Sequence, residues 1–189
     1  MQLIFRGVAL KKVGFAGAVV IWSGHVLCID VPDGDCDVYL YTHNHPRHRP
    51  FELPREYISP FGGRVVKPGD VVSLEWARVE VVSAYNISKF IDGRLPHPPG
   101  EGVGYVVDVG DVRIYHMGDT DLHNGVLING VDVLFIPIGG VSVMNPEEAA
   151  YAVMSIRPKV TVPIHFEEKR DFVKFRDMAY AYTQVVWLR

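Results

Sequence analysis

The sequence predicts an α+β protein in which two β-sheets are faced by helices. Three observations support this prediction. Apolar runs of β type dominate the first two thirds of the 189 residues, strand and helix patterns alternate only in the last third, and turn signals separate the runs. With 48% hydrophobic residues, a chain of this length can enclose a full core, so we expect one domain over residues 1–189.

The first half of the chain is predicted to be rich in strands. Residues 2–29 alternate or run apolar and are broken by a Ser-Gly-His turn at 23–25, a pattern typical of a β-meander. A polar loop follows at 30–35. The other predicted elements of this half are a short buried strand at 37–42, a proline-punctuated segment at 50–63 with room for a turn or two of helix, and strands at 64–66, 71–74 and 77–82.

The second half begins with a predicted hairpin and ends with alternating strands and helices. The strongest helix signal is at Asn145, which can cap the helix, with Pro146 at the first helical position and Glu148 completing a capping box. The predicted elements are a hairpin of strands at 103–108 and 112–116, a buried strand at 131–137, a helix to about residue 156, a strand at 159–164, a helix at 168–181 and a strand at 184–188.

Composition and charge exclude several classes of partner. With 19 basic against 22 acidic residues, the net charge of −3 gives no bulk attraction to nucleic acid or to an anionic membrane. No apolar run approaches the roughly 20 residues that span a bilayer. The chain starts directly in strand-like sequence, so we expect a cytoplasmic protein with a small-molecule substrate and no nucleic-acid or membrane partner. An oligomer stays open, and Cys28 and Cys36 are expected to be unpaired.

Candidate metal ligands gather where the predicted strands end. His43, His45 and His48 follow the strand at 37–42, and the first two would point to the same side if the backbone stays extended. His97 lies in a Gly/Pro loop, Asp119 in a Gly-Asp-Thr turn, and His165 ends the strand at 159–164. Imidazoles and a carboxylate delivered from several loops to one sheet edge are typical of a metal site in an enzyme.

Each of these residues also has a purely structural interpretation. His97 fits a solvated loop residue and His165 a buried core histidine about equally well, and Asp119 could simply start a turn. We expect His116 and His123 to be structural. The group as a whole is a stronger signal than any single member.

Several motifs resemble the metallo-β-lactamase superfamily, and within it the branch of metal-dependent hydrolases that includes L-ascorbate 6-phosphate lactonase. That branch carries Thr-His-x-His-x-Asp-His, which residues 42–48 match at all positions but one. The other matches keep the family order over residues 37–166. They are Ala84-Tyr-Asn86, His97 before Gly102-Val-Gly-Tyr105, Tyr115-His-Met-Gly-Asp-Thr-Asp121, Pro137-Ile-Gly-Gly with Met144, and Pro163-Ile-His165.

The resemblance implies a four-layer αββα sandwich with a metal site at one edge of the sheets. By position, His43, His45 and His97 would hold a first ion, Asp119 would bridge, and His48 and His165 would belong to a second ion. The resemblance implies zinc first, with manganese or iron in some branches, and one or two ions. Imidazole and carboxylate ligands alone do not decide between these metals.

Arg47 departs from the family pattern, because the family has a metal-binding aspartate there. A guanidinium cannot ligate a cation, and its charge would repel a second dication. Three outcomes are open: one ion suffices for hydrolysis, Arg47 turns outward while a weaker second site fills, or Arg47 pairs with Asp119 and the site is inactive.

Two functional hypotheses follow. The first is a metal-dependent hydrolase acting on an ester, lactone or phosphoester, in which Asp119 and Arg47 act on the reaction and Arg47 holds an anionic group of the substrate. The second is a non-catalytic or weakly active metal- or ligand-binding protein of the same fold. Arg47 is the residue that separates them.

Overall fold

The computed structural model describes residues 1–188 and contains two seven-stranded β-sheets. In each sheet, every strand lies beside its neighbour in the chain. The first sheet comprises β1 (Leu3–Phe5), β2 (Val8–Val13), β3 (Gly17–Trp22), β4 (His25–Ile29), β5 (Val38–Leu40), β6 (Ile58–Ser59) and β7 (Arg64–Val65). The second comprises β8 (Val71–Ser73), β9 (Ala77–Ala84), β10 (Gly102–Val109), β11 (Val112–His116), β12 (Val133–Pro137), β13 (Val160–Ile164) and β14 (Gln184–Val185). The helices are α1 (Pro146–Ile156) and α2 (Lys169–Ala179), with a 3-10 turn at Asn124–Val126.

Both sheets are mixed, and loops that follow their parallel strands carry several of the candidate metal ligands. Strands β1 to β4 pair antiparallel and β4 to β7 parallel. In the second sheet, β8 to β11 pair antiparallel and β11 to β14 parallel. Parallel neighbours end at the same edge of a sheet. The loops after β11 and β13, on either side of β12, therefore emerge at the same edge, and they carry Asp119 and His165.

The core has one layer between the sheets and another under the helices, and β12 contributes to both. Val133 and Phe135 are buried between the sheets, whereas Leu134 and Ile136 are buried under the helices. This division follows the alternation of side chains along a strand, and it explains why β12 is apolar throughout. The predicted fold class, two mixed sheets faced by helices, is confirmed, and both α-helices lie over the second sheet.

The start of α1 is built as the sequence predicts. The Asn145 side chain accepts a hydrogen bond from the Glu148 backbone N–H at 2.9 Å, and Glu148 accepts one from the Asn145 N–H at 2.8 Å. Such a cap stabilises a helix by about 1 kcal/mol. Each α-helix has 11 residues, and within residues 1–188 no helix has the length and apolar character needed to cross a membrane.

Two predicted segments differ from the structure. The proline-punctuated segment at 50–63 forms strand β6 rather than helical turns, because the Ile58 carbonyl accepts a hydrogen bond from the Tyr41 N–H at 3.0 Å. The final strand covers only Gln184–Val185 instead of 184–188. Neither change moves a candidate metal ligand.

The expectation that the two cysteines are unpaired is wrong. Cys28 in β4 and Cys36 form a disulfide, with their Cα atoms 6.1 Å apart. The Tyr39 hydroxyl folds the intervening loop back, since it accepts from the Cys36 N–H at 3.1 Å and donates to the Gly34 carbonyl at 2.8 Å. A spacing of eight residues gave no hint of this pairing, because the contact depends on the loop geometry.

Replacing Cys36 with serine is expected to lower the free energy of unfolding by about 2 kcal/mol, because a disulfide that closes a short loop restricts the unfolded chain. Urea unfolding of the metal-free protein under oxidising conditions measures the loss. With a reductant present, the natural chain and the variant should unfold at the same urea concentration. A difference that persists under reductant would show that packing of Cys36, and not the bond, is responsible.

Candidate metal centre

The loop after β5 packs three imidazoles into one cluster. It is a tight turn and not the extended backbone that the spacing suggested: the His45 N–H donates to the His43 carbonyl at 3.1 Å, and the His48 N–H donates to the His45 carbonyl at 2.9 Å. The ring centroids of His43 and His48 lie 4.2 Å apart, and those of His43 and His45 lie 5.8 Å apart. His43 and His48 are buried, while His45 is exposed.

Asp119 is the point on which the other loops converge. It follows Gly118, whose φ of +64° and close approach to the Val103 carbonyl leave no room for a side chain. The Asp119 Oδ2 atom lies 2.9 Å from His165 Nε2, 3.3 Å from His97 Nε2 and 3.5 Å from His48 Nε2. It is also 3.8 Å from His43 Nε2, so four imidazoles from three loops surround one buried carboxylate oxygen.

Several polar atoms in this cluster are buried without a hydrogen-bond partner in the described chain. They are Nε2 of His43, Nε2 of His48 and Oδ1 of Asp119. An unsatisfied buried polar atom costs about 1–3 kcal/mol, so three at one point indicate a missing partner. Asp119 Oδ1 and Nε2 of the neutral His43 ring each offer a lone pair, and Nε2 of His48 offers one once that ring loses its proton. A cation therefore fits them.

Three sets of residues have ligand atoms within 4.8 Å of one another: His43 with His45 and His48, His43 with His97 and Asp119, and His48 with Asp119 and His165. All six residues predicted as ligands belong to this group. His45 is near His43 and His48 rather than beside His97, so its assignment to the first ion stays a prediction. Imidazole and carboxylate donors suit zinc and also accept manganese or iron.

Asp30 orients two of the imidazoles from behind. Its fully buried carboxylate accepts hydrogen bonds from the Thr42 N–H at 2.7 Å, the Thr42 hydroxyl at 2.6 Å and His48 Nδ1 at 2.8 Å. Because the Thr42 hydroxyl proton goes to Asp30, its oxygen accepts from His43 Nδ1 at 3.0 Å. Both rings thus present an unprotonated Nε2 to the cluster when neutral.

Asn86 performs the same task for His97. The His97 Nδ1 atom lies 3.0 Å from Asn86 Oδ1 and 3.1 Å from the Ser142 carbonyl, and both of these atoms are acceptors. The Asn86 amide in turn donates to Asp121 Oδ1 and to the Ser142 carbonyl, each at 2.9 Å. Sequence reasoning did not assign Asp30 or Asp121. Their positions were the available signal: Asp30 directly follows an apolar strand, and Asp121 is the last residue of a matched motif.

Burial and neighbouring charges shift the pKa values of the clustered groups. Burial alone would raise the pKa of Asp119, but the imidazoles, His48 foremost, hold it well below its usual range. Burial alone would lower the pKa of His48, whereas Asp119 and Asp30 raise it to about 9 in the metal-free protein. Burial lowers the pKa of His43 to about 3, so this ring is neutral at pH 7.

Arg47 turns away from Asp119. Its Nη2 lies 2.8 Å from Glu167 Oε1, and its guanidinium carbon lies 3.5 Å from the centre of the Phe15 ring. The side chain is 49% exposed. Of the three outcomes open from the sequence, the geometry matches the one in which Arg47 points outward.

His116 and His123 lie outside the ligand sets, as predicted. His116 is buried, its Nε2 donates to the Ala16 carbonyl at 2.8 Å, and its Nδ1 accepts from the Gly118 N–H at 3.2 Å. His123 accepts from the Gly125 N–H at 3.1 Å and stacks on Tyr85. Both rings are committed to the backbone of nearby turns.

Two cavities flank the cluster. One of about 350 Å³ is lined by Phe15, Arg47, Ser142 and His165, among others. The other, about 360 Å³, is lined by His43, His45, Phe61 and His97, among others. A larger cavity of about 560 Å³ near Tyr39 and Tyr57 contains none of the clustered ligands, so chemistry and not size identifies the candidate site.

Comparisons with known proteins give consistent matches. Residues 16–165 match the family model described as the beta-lactamase superfamily domain. A UPF0173 metal-dependent hydrolase of Thermus thermophilus is 32% identical over 158 residues, which cover 73% of this chain and 69% of the relative. Another, from Polynucleobacter asymbioticus, is 29% identical over 70% of this chain and 59% of its own length. The chain thus spans less than two thirds of the length of several curated relatives that it matches, among them the one from Polynucleobacter asymbioticus.

Solved structures show the same fold. A protein of Parabacteroides distasonis, named as a candidate metal-dependent hydrolase, superposes with a TM-score of 0.89 at 21% identity, covering 100% of this chain and 99% of that one. Igni18, a metallo hydrolase from Ignicoccus hospitalis, gives a TM-score of 0.77 at 19% identity, with coverage of 96% and 95%. At these identities the likeness concerns the fold.

Proposed function

Because the chain belongs to the beta-lactamase superfamily, and within it to the UPF0173 group, we propose that it is a metal-dependent hydrolase acting on an ester, lactone or phosphoester. The observation that carries the proposal is the convergence of four imidazole nitrogens on Asp119, with lone-pair atoms left buried and unpartnered. We place the reaction at this cluster.

The donor set divides between two ions. His43, His45, His97 and Asp119 would hold the first, and His48, Asp119 and His165 would hold the second. Zinc is the first choice, with manganese and iron as alternatives. A cation bound here supplies an activated water as the nucleophile and a Lewis acid for the acceptor oxygen of the substrate.

The protein residues prepare this chemistry. Asp119 keeps its negative charge because its pKa is well below its usual range, so its unpartnered Oδ1 can hold a cation or accept a hydrogen bond from a water that such a cation would bind. The neutral His43 ring offers its Nε2 lone pair without first losing a proton. Asp30 and Asn86 hold the imidazoles in the required tautomers, so little reorganisation is needed.

The substrate is a small molecule that reaches the cluster through the flanking cavities. Arg47 lines the cavity that contains His165 and Ser142, and its ion pair with Glu167 involves only Nη2. We assign it the task of holding an anionic group of the substrate, which its planar fork suits. Glu167 would compete for this guanidinium, so a bound anion has to displace or share it.

Removal and restoration of metal test the proposal. Chelated protein should hydrolyse neither aryl esters, lactones nor aryl phosphodiesters, and zinc, manganese or iron(II) should restore one of these activities. His45→Ala should lower that activity by more than the 10–100-fold typical for loss of an outer partner, because it removes a ligand itself. An Arg55→Met variant, which changes an exposed arginine outside the cluster, serves as the control.

Arg47→Asp separates hydrolysis from mere ligand binding. If the natural chain takes up metal but turns over none of these substrates, and Arg47→Asp alone creates activity, the protein is a non-catalytic metal- or ligand-binding member of the fold. Activity in the natural chain that His45→Ala abolishes establishes the hydrolase.

A further inference from the structure

We propose that Arg47 positions the His165 imidazole through the Phe15 ring, and thereby sets how tightly the second ligand set holds its cation. The inference rests on the proposed function, because it concerns the same ligand set. It gives Arg47 a task that does not require contact with a cation.

The side chains of Arg47, Phe15 and His165 contact one another in series. The Arg47 guanidinium carbon lies 3.5 Å from the centre of the Phe15 ring, well within the range of a cation–π contact. The Phe15 ring also contacts the His165 ring, with 4.2 Å between ring centroids and a tilt of 59°. His165 Nε2 then reaches Asp119 Oδ2 at 2.9 Å. A shift of the guanidinium is therefore transmitted to a metal ligand through one aromatic ring.

His165 depends on this packing more than the other buried imidazoles do. The Nδ1 atoms of His43, His48 and His97 are fixed by hydrogen bonds to Thr42, Asp30 and Asn86, respectively. Within residues 1–188, no hydrogen bond to Nδ1 of His165 is found. Its ring orientation therefore comes from packing, and Phe15 supplies the closest ring contact.

The backbone of His165 is held by its surroundings, so only the orientation of its ring can vary. Its φ is +54°, in the left-handed region that non-glycine residues seldom adopt. The His165 N–H donates to the Phe15 carbonyl at 3.0 Å, and on the other side a Cβ at Gly139 would lie 2.3 Å from the His165 carbonyl oxygen. Phe15 thus contacts His165 through both its backbone and its ring.

Glu167 keeps the guanidinium on the ring. The Arg47–Glu167 pair is exposed at both ends, at 49% and 68%, so alone it adds little stability. The ion pair acts on geometry, because it links the loop carrying His48 to the loop carrying His165 and limits the rotamers of Arg47.

The proposal predicts a change of opposite sign to that expected from charge alone. If Arg47 acted only as a nearby positive charge, its removal would strengthen binding of the second cation. If it holds His165 in place, its removal weakens that binding by about tenfold, the lower end of the range for a lost outer partner.

The test is titration of the metal-free, full-length protein with Zn²⁺, followed by calorimetry, with Co²⁺ absorption spectra reporting the geometry of the second site. Arg47→Met and Phe15→Leu should each weaken the second binding step by about tenfold, and the double variant should lose no more than either alone. Arg47→Lys should recover part of the loss, and Glu167→Gln should lose less than Arg47→Met. Arg55→Met, which removes an exposed arginine away from Phe15 and His165, should bind both cations as the natural chain does.

Stronger or unchanged second binding in Arg47→Met overturns the proposal, as do additive losses in the double variant or uptake of a single cation by the natural chain. If Arg47→Met does not fold, Arg47→Lys and Glu167→Gln carry the same comparison. The readout needs no turnover, so a protein that binds two cations as described but hydrolyses nothing would refute the proposed function and leave this inference standing.

Discussion

Replacing Asp119 with asparagine is expected to release both cations and to lower hydrolysis by more than about 100-fold, the upper end for loss of an outer partner alone. Asp119 Oδ2 lies between 2.9 and 3.8 Å from four imidazole nitrogens, so both proposed ligand sets lose their shared negative charge. The asparagine has nearly the same shape, which confines the change to charge and proton acceptance. Elemental analysis of the purified variant, beside an ester or phosphodiester assay, measures both effects.

Asp33→Asn provides the matched control for this change. Asp33 is an exposed loop residue, and its replacement alters the net charge by the same amount. This control should keep its metal content and activity. Retention of two cations per chain by Asp119→Asn would contradict the assignment of Asp119 as the bridging ligand.

Asp30→Ala is expected to lower the free energy of unfolding of the metal-free protein by about 3–5 kcal/mol, as is typical when one partner of a buried ion pair is removed. Asp30 is fully buried and accepts three hydrogen bonds, from the backbone and hydroxyl of Thr42 and from His48. The alanine leaves all three donors without an acceptor. Urea unfolding near neutral pH measures the loss, and Asp30→Asn, which keeps an acceptor oxygen, should lose less.

The same variant has a predictable pH dependence. Burial alone would lower the pKa of His48, but Asp119 and Asp30 raise it to about 9, above its ordinary value of 6.5. A raised folded-state pKa contributes stability that is full below the unfolded pKa and disappears as pH rises through about 9. The difference between the natural chain and Asp30→Ala should therefore be larger at about pH 6 than at about pH 10. An equal difference at both pH values would show that His48 is not charged in the metal-free protein.

Local patterns predicted most of the elements. The capping box at Asn145 and Glu148 located α1, because the hydrogen bonds involved join residues three apart. The apolar run at 133–137, inside the strand predicted at 131–137, located β12 because a strand buried on both faces needs no polar position. Strand β6 was missed because it has two residues and pairs with Leu40 through a single register position, which no local pattern reveals.

In the candidate site, too, residue types could be read from the sequence but long-range contacts could not. Strand-end histidines and Asp119 could be selected by residue type, and the structure places all six in overlapping sets whose ligand atoms lie within 4.8 Å of one another. Asp30 and Glu167 could not, because they contact His48 and Arg47 from 18 and 120 positions away. The direction of Arg47 was equally undetermined, since it depends on Phe15 and Glu167 in two other segments. The Cys28–Cys36 bond was missed for the reason that its loop geometry is set by Tyr39.

The strand order has a mechanical consequence for the candidate site. All strands before residue 66 belong to the first sheet and all strands after residue 70 to the second, so His43, His45 and His48 come from one half of the chain and His97, Asp119 and His165 from the other. A cation held by residues from both halves would act as a non-covalent cross-link between those halves. Its binding energy would then also be energy of association of the two sheets, and loss of metal would loosen the sandwich at the edge that carries the candidate site.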